Sequence, residues 1–242
     1  MPNRNFIKIS NAELDEPVYR IMSIVRILEM LQKEIFVLSK PKKWDDPFEN
    51  ALLSATVVAS TGEIGDNAAK NEVFGQCWSR HCETDAMWRI YSPSKQSAKI
   101  KTTPRKLLNA LKDHVQNNWE LKCFIGKVSY LPLDELSAKL SKVEVFETDG
   151  SGIAESLLYK RIEFSHENEV RLIFSGDNHE CVADYYSFKI KPNDIIEEII
   201  FDPRMDAELV LAYSKAIDDK GFSNKVDQST LYSAPKGLVI RI

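Results

Sequence analysis

A chain of 242 residues, 43% hydrophobic and 28% charged, can bury a full core as one large domain or two small ones. Its formal net charge of −4 excludes a broad basic face of the kind that binds nucleic acid unaided. No apolar run approaches the ~18 residues needed to cross a bilayer, and the opening MPNRNFIKIS lacks the apolar stretch of a secretory signal.

A cytoplasmic protein without membrane association is therefore expected. The four cysteines, Cys77, Cys82, Cys123 and Cys181, form no CxxC pair and read as reduced thiols. Cys77, His81 and Cys82 cluster, but no matched second pair supplies a fourth zinc ligand. No metal site is expected there.

In chain order, Val18 to Ile21 reads as a short first strand. Ile21, Ile24, Val25, Leu28 and Leu31 recur at helical spacing, so a helix follows directly. IFVLS (Ile35 to Ser39) is a second strand, EVFGQCWS (Glu72 to Ser79) a third, and Ser60 to Asn71 a small, polar loop between them. The basic run KQSAKIKTTPRK (Lys95 to Lys106) is the best candidate for a local basic patch that could meet nucleic acid, and is read in the first place as a solvated loop leading into a helix, since charge runs usually face water. Thr103 is the expected N-cap of that helix and Pro104 its first residue.

LKCFIGKVSYL is a further strand, LDELSAKL a short helix, and Ile153 to Phe164 is read as helical. HENEVRLIFS alternates, with Val170, Leu172 and Phe174 on one face and Glu167, Glu169, Arg171 and Ile173 on the other. IIEEIIFDP is another strand, DAELVLAYSKAIDDKG an amphipathic helix closed by Gly221, and GLVIRI a closing strand. Strands outnumber long helices and do not alternate regularly with them. The expected class is α+β, a mixed, largely antiparallel sheet with flanking helices, built as a single domain over 1–242. No glycine fingerprint follows the first strand, which speaks against a Rossmann fold or a P-loop.

Three stretches hold residues with chemistry. On the acidic strand, Glu167, Glu169 and Arg171 fall about 7 Å apart along one face. If that face is buried, Arg171 must neutralise a carboxylate; if it faces water, the charges form a weak ladder of ion pairs. Arg20, in VYR, offers a planar fork suited to phosphate or to an ion pair with Asp45, Asp46 or Glu49. In SKPKKWDDPFE, Trp44 and Phe48 flank those acids, so the loop is expected to fold back on the sheet and support the edge of a site. Trp88 and Tyr91, three apart in DAMWRIY, can stack a flat ligand or join the core. None of the four histidines has an obvious nucleophile beside it, and His166 is the one adjacent to the acidic strand.

VYR, FVLSKPKKWDDPFE, CWSRHCETDAMWRIY, RIEFSHENEVRLIF and IIFDPRM, in this order, resemble the bacterial family catalogued as domain of unknown function 2971. The resemblance runs from about Tyr19 to Met205, with the C-terminal helix and strand (206–242) packing on that region, and it implies a phage-defence setting. A weaker resemblance is to the ADP-ribosyltransferase superfamily, in the order Arg20, Ser39, Trp88 and Tyr91, Glu169. It implies NAD as cofactor, bound by Tyr19, Ser39, Trp88, Tyr91 and Arg171. Arg20 would hold the pyrophosphate, Glu169 would stabilise the ribosyl cation, and the target would be a nucleic acid or a protein. Two alternatives stay open. In an Mg²⁺-dependent nuclease-like effector, Asp45, Asp46, Glu49, Glu167 and Glu169 would supply oxygen ligands, with Lys160 or Arg161 on a phosphate. In a binding module without turnover, the polar cluster would be structural.

Overall fold

The computed structural model of the chain describes residues 4–50, 53–54, 56–58, 64–66, 71–140, 150–176, 183–234 and 237. Its strands are β1 (Phe6–Ile7), β2 (Val18–Ser23), β3 (Ile35–Ser39), β4 (Thr56–Val58), β5 (Ile64–Asp66), β6 (Val73–Ser79) and β7 (Ser97–Thr102). The second half adds β8 (Cys123–Lys127), β9 (Ser129–Leu131), β10 (Tyr159–Arg161), β11 (Glu169–Ser175), β12 (Tyr185–Lys189), β13 (Glu198–Phe201) and β14 (Lys225–Gln228). The helices are α1 (Ile24–Lys33), α2 (Asp85–Tyr91), α3 (Pro104–Val115), α4 (Trp119–Lys122), α5 (Leu133–Leu140), α6 (Ser151–Ser156), α7 (Pro192–Ile195) and α8 (Ala207–Asp218).

The main sheet runs β1-β8-β11-β6-β2-β7-β13-β14, with β3 joining β6 and β12 joining β3. Only its two outer pairs, β1 with β8 and β13 with β14, are parallel. The α+β class with a mixed, largely antiparallel sheet is as the sequence led one to expect.

β11 pairs with β6 along its whole length and with β8 on its other side, so both of its edges are paired. Val170, Leu172 and Phe174 enter the larger core with Ile27 and Met30 of α1 and Leu107 and Leu111 of α3. Ile173, on the opposite face, enters a smaller core with Phe124, Leu157 and Leu158. Glu169 and Arg171 share the Ile173 face, as the period of two requires. That face is buried: the water-facing ladder of ion pairs is not what forms.

Several elements differ from their sequence reading. Ile21 and Met22 stay in β2, and α1 starts only at Ile24, where the Ser23 hydroxyl accepts from Arg26 N at 3.4 Å. Lys95–Lys106 is no solvated loop. Its centre is β7, held between β2 and β13, with Lys99 buried and Lys101 paired to Glu197 at 3.1 Å. Ile153–Phe164 divides into the end of α6, strand β10 paired in parallel with β9, and a 3-10 turn over Ile162–Glu167. Ser60–Asn71 contains β5, which pairs antiparallel with β4. Apart from Gly237, the closing GLVIRI strand lies outside the described residues. Thr103 caps α3 with Pro104 at its start, as predicted. No helix among the described residues is long and apolar enough to cross a membrane.

Candidate functional site

The site begins where two strands part. β2 follows β7 from end to end but touches β6 only through Tyr19 opposite Ser79. β3 follows β12 from end to end but touches β6 only through Ser39 opposite Gly75. Between these points β6 exposes the edge of Gln76, Cys77 and Trp78. Gln76 spans the gap with its side chain, donating to Val37 O at 3.1 Å. The turn at Ser23 into α1 accounts for the split, because it carries the chain off the sheet before it returns as β3.

A cleft of about 490 Å³ opens over this edge. Arg20, Ser39, Cys77, Tyr91, Phe164 and Glu169 are among the residues lining it. A smaller pocket of about 150 Å³ adjoins it, sharing Arg20, Cys77, Tyr91, Glu167 and Glu169 and lined also by Tyr19.

At one wall of the cleft, three buried carboxylates surround two buried cations. Lys160 Nζ lies 2.7 Å from Glu49 and 3.6 Å from Glu169, and it also donates to Glu167. Arg171 donates to Glu169 at 2.7 Å, to Glu49 at 3.0 Å and to the Leu157 carbonyl at 2.7 Å. The carboxylates outnumber these cations by one, and Arg20 brings a further positive charge to the same cleft. Such burial is tolerable only with this degree of pairing.

The pairing sets the ionisation states. Burial works against the charged form of Glu169, but Arg171 and Lys160 outweigh it and hold the carboxyl below its ordinary range. Glu167 moves the other way, pushed up by burial and by the charge on Glu169, despite the bonds from Lys160 and Tyr91. The Tyr91 hydroxyl donates to Glu167 at 2.7 Å; burial and that carboxylate raise its pKa, so it stays protonated. Burial, with Glu169 nearby, pushes the Cys77 thiol up to about 12, which leaves it a poor nucleophile. Burial lowers the pKa of Arg20 against the pull of Cys77, Glu169 and Tyr91; a guanidinium remains charged all the same.

No protein-family model matches the chain, and no curated protein matches it. The resemblance to domain of unknown function 2971 therefore has no family-model match behind it. Solved structures of Thermus sp. 2.9 DarT are similar in fold. With NAD⁺ bound, the identity is 11% and the TM-score 0.41, over 89% of this chain and 96% of that one. The complex with carba-NAD⁺ gives 11% and 0.40 over the same shares. The complex with ADP-ribosylated ssDNA gives 12% and 0.42, over 89% and 94%. These likenesses are loose, and the functional reading rests on the cleft itself.

The structure brings Arg20, Ser39, Tyr91 and Glu169 to one cleft, with Tyr19 in the smaller pocket that shares part of its lining. It does not bring Trp88 there. That ring is fully buried, its Nε1 donating to Glu83 at 2.6 Å, because the helical face that carries it turns toward the core. Arg171 is also removed from any ligand, being enclosed by Glu49, Glu169 and the Trp44 ring, 4.6 Å from its guanidinium carbon.

The WDDPFE loop supports the site, though not through Arg20. Asp46 holds Arg161, at 3.0 and 3.3 Å, and Glu49 holds Lys160 and Arg171. Trp44 folds onto the sheet and donates to Ser39 Oγ at 3.1 Å. Phe48 instead turns outward, 39% exposed, against the Arg161 guanidinium. Asp45 is exposed at the rim of the cleft.

The chief omission of the sequence reading is Lys160 as the centre of the carboxylate cluster; the sequence offered it only as a phosphate contact. The one available signal was a Lys–Arg pair among apolar residues in LLYKRI. Among the described residues, no group of three or more His, Cys, Asp or Glu side chains is placed to hold a metal ion. Glu49, Glu167 and Glu169 already face cations that a divalent ion would have to displace.

Proposed function

We propose that the protein is an ADP-ribosyltransferase-like enzyme that consumes NAD and modifies a nucleic acid or protein target, in the phage-defence setting that its resemblance implies. One observation carries the reading. Arg20, Tyr91 and Glu169, from the start, middle and latter part of the chain, line one cleft at a split in the sheet. The donor set suits the dinucleotide: a guanidinium for a pyrophosphate, a partly exposed tyrosine ring for a flat base, and an ionised carboxylate for a ribose. NAD supplies a ribose–nicotinamide bond whose cleavage expels the base with the bonding electrons and leaves positive charge on the ribose.

In this reading Arg20 holds the phosphates and Tyr91 stacks on the nicotinamide. Glu169, kept ionised by Arg171 and Lys160, stabilises the positive charge from a fixed position. Ser39 borders the same space.

The experiment compares NAD consumption by the wild type and by Glu169→Gln. A loss of about 10²–10³ in kcat is expected, the size of effect seen when a pre-organised charge is removed. Equal rates would sink the proposal. A second reading, a binding module without turnover, is favoured by one observation: the oxygens of Glu167 and Glu169 already have protein partners. A melting point that rises with NAD while no NAD is consumed would select it.

A further inference from the structure

The FDPRM stretch lines neither cleft, yet its side chains reach the helix that carries Tyr91. Asp202 is fully buried, and Arg204 folds back on it with Nε 3.0 Å from Oδ1 and Nη2 2.7 Å from Oδ2. The same Nη2 donates to the backbone carbonyls of Trp88, at 2.9 Å, and of Ser92, at 3.1 Å. These two carbonyls lie on either side of Tyr91 in sequence. Gln228 of β14 ties the turn down, donating to the carbonyls of Asp202 at 3.2 Å and Met205 at 2.9 Å. At the other end of the helix, Ser229 bonds Glu83 and Tyr232 bonds Asp85.

A helix of 7 residues cannot hold itself, since isolated helices below about 12–15 residues are marginal in water. Trp88 O also accepts from Ser92 N at 3.0 Å and Ser92 O from Lys95 N at 3.1 Å, so Arg204 adds a second donor to each carbonyl, and a cation there complements the negative end of the helix dipole. Trp88, fully buried, fixes the rotation of α2. Arg204 fixes its end. We infer that Arg204, held by Asp202, is a positioning residue that sets where Tyr91 stands in the cleft, acting through the carbonyls of the last turn of α2. The inference rests on the transferase reading only for its effect on turnover.

The test is a double-mutant cycle of Tyr91→Phe with Arg204→Lys, followed by urea unfolding. Lysine keeps the charge, but its single nitrogen cannot stand at both the Nε and the Nη2 positions from which Arg204 reaches Asp202 and the two carbonyls. In the wild-type background, Tyr91→Phe should raise the unfolding constant about five- to thirtyfold through loss of the bond to Glu167. In the Arg204→Lys background the rise should be smaller by more than about twofold, the scatter expected of uncoupled sites. Equal effects in both backgrounds would overturn the inference.

NAD kinetics supply the second readout. Arg204→Lys should raise KM more than it lowers kcat, and the double variant should be no worse than the poorer single one. A coupled cycle in a protein that consumes no NAD would sink the transferase reading and leave the positioning role standing. Should Arg204→Lys fail to fold, Arg204→Gln takes its place. Amide exchange on the wild type bears on the same point without substitution: protection at Tyr91 and Ser92 comparable to that in β6 is expected, and solvent-limited exchange there would refute the role.

Discussion

Arg171 donates to Glu49 at 3.0 Å across 122 residues of chain, and neither side chain reaches solvent in any quantity. The bond ties the loop after β3 to the strand that carries Glu169. Replacing one member of such a pair leaves the other charge buried without compensation, at a cost of about 3–5 kcal/mol. Arg171→Met should therefore lower the unfolding free energy by about that amount, since Glu49 and Glu169 both lose a partner and Lys160 alone remains. Urea unfolding at neutral pH measures it. A change below about 1 kcal/mol, the range of exposed pairs, would mean that the cluster is better hydrated than its burial implies.

Acid should weaken the fold through a second, separate carboxylate. Glu13 accepts from Lys127 Nζ at 2.8 Å and from the Ser10 amide and hydroxyl at 2.9 and 2.8 Å. Lys127 and then Ser10 hold its pKa at about 2, against an ordinary 4.5. Between those values the unfolded chain binds more protons than the folded one, so stability rises with pH across that window. The contribution is complete above pH 4.5 and lost as pH falls toward 2. In thermal melts over this range Glu13→Gln should show a shallower acid limb than the wild type; parallel limbs would exclude Glu13 as a contributor.

The legible parts of the sequence were those where local chemistry and tertiary context agree. Thr103 and Pro104 start a helix by local geometry alone, and IFVLS and the alternation of Val170, Leu172 and Phe174 need only a period of two. β7 was missed because Lys99 and Lys101 made a strand between two neighbours look solvated. Lys99 spends its length on the Tyr19 ring, 5.2 Å from its ammonium, and Lys101 finds Glu197. The site was half legible for a related reason. Residue type and order pointed to Arg20, Tyr91 and Glu169, but which cation meets which acid is decided across more than a hundred residues. Asp46 found Arg161 rather than Arg20 because β10 delivers Arg161 beside the loop.

Arg20 stands at the point where β2 leaves β6, and none of its neighbours in the cleft forms a bidentate pair with it among the described contacts. If its fork takes a pyrophosphate, a lysine there should bind less well, because an ammonium offers a point charge in place of two parallel donors. Arg20→Lys should weaken NAD binding about tenfold, or ~1.4 kcal/mol, with little change in the unliganded melting point. Titration calorimetry with NAD checks this. Undiminished affinity would show that the guanidinium lies outside the ligand.

Trp44 owes its place to the residue beneath it. A Cβ on Gly75 would stand 2.6 Å from Trp44 Cζ2 and 3.0 Å from Cη2, closer than packed atoms approach. The indole cannot lift away, because the Arg171 guanidinium carbon lies 4.6 Å from its ring and Nε1 is tied to Ser39. A tryptophan has no flexible end with which to yield, so Gly75→Ala must displace the ring, the guanidinium or the strand. Overpacking of this kind costs about 1–3 kcal/mol. Because Arg171 orients Glu169, the displacement should reach the cleft as well. Gly75→Ala is therefore expected to shift the tryptophan emission spectrum, lower the melting point and reduce NAD turnover together, whereas Gly75→Ala combined with Trp44→Phe should recover part of the stability. Loss of stability with turnover intact would show that the indole supports the loop alone and leaves the carboxylate where it was.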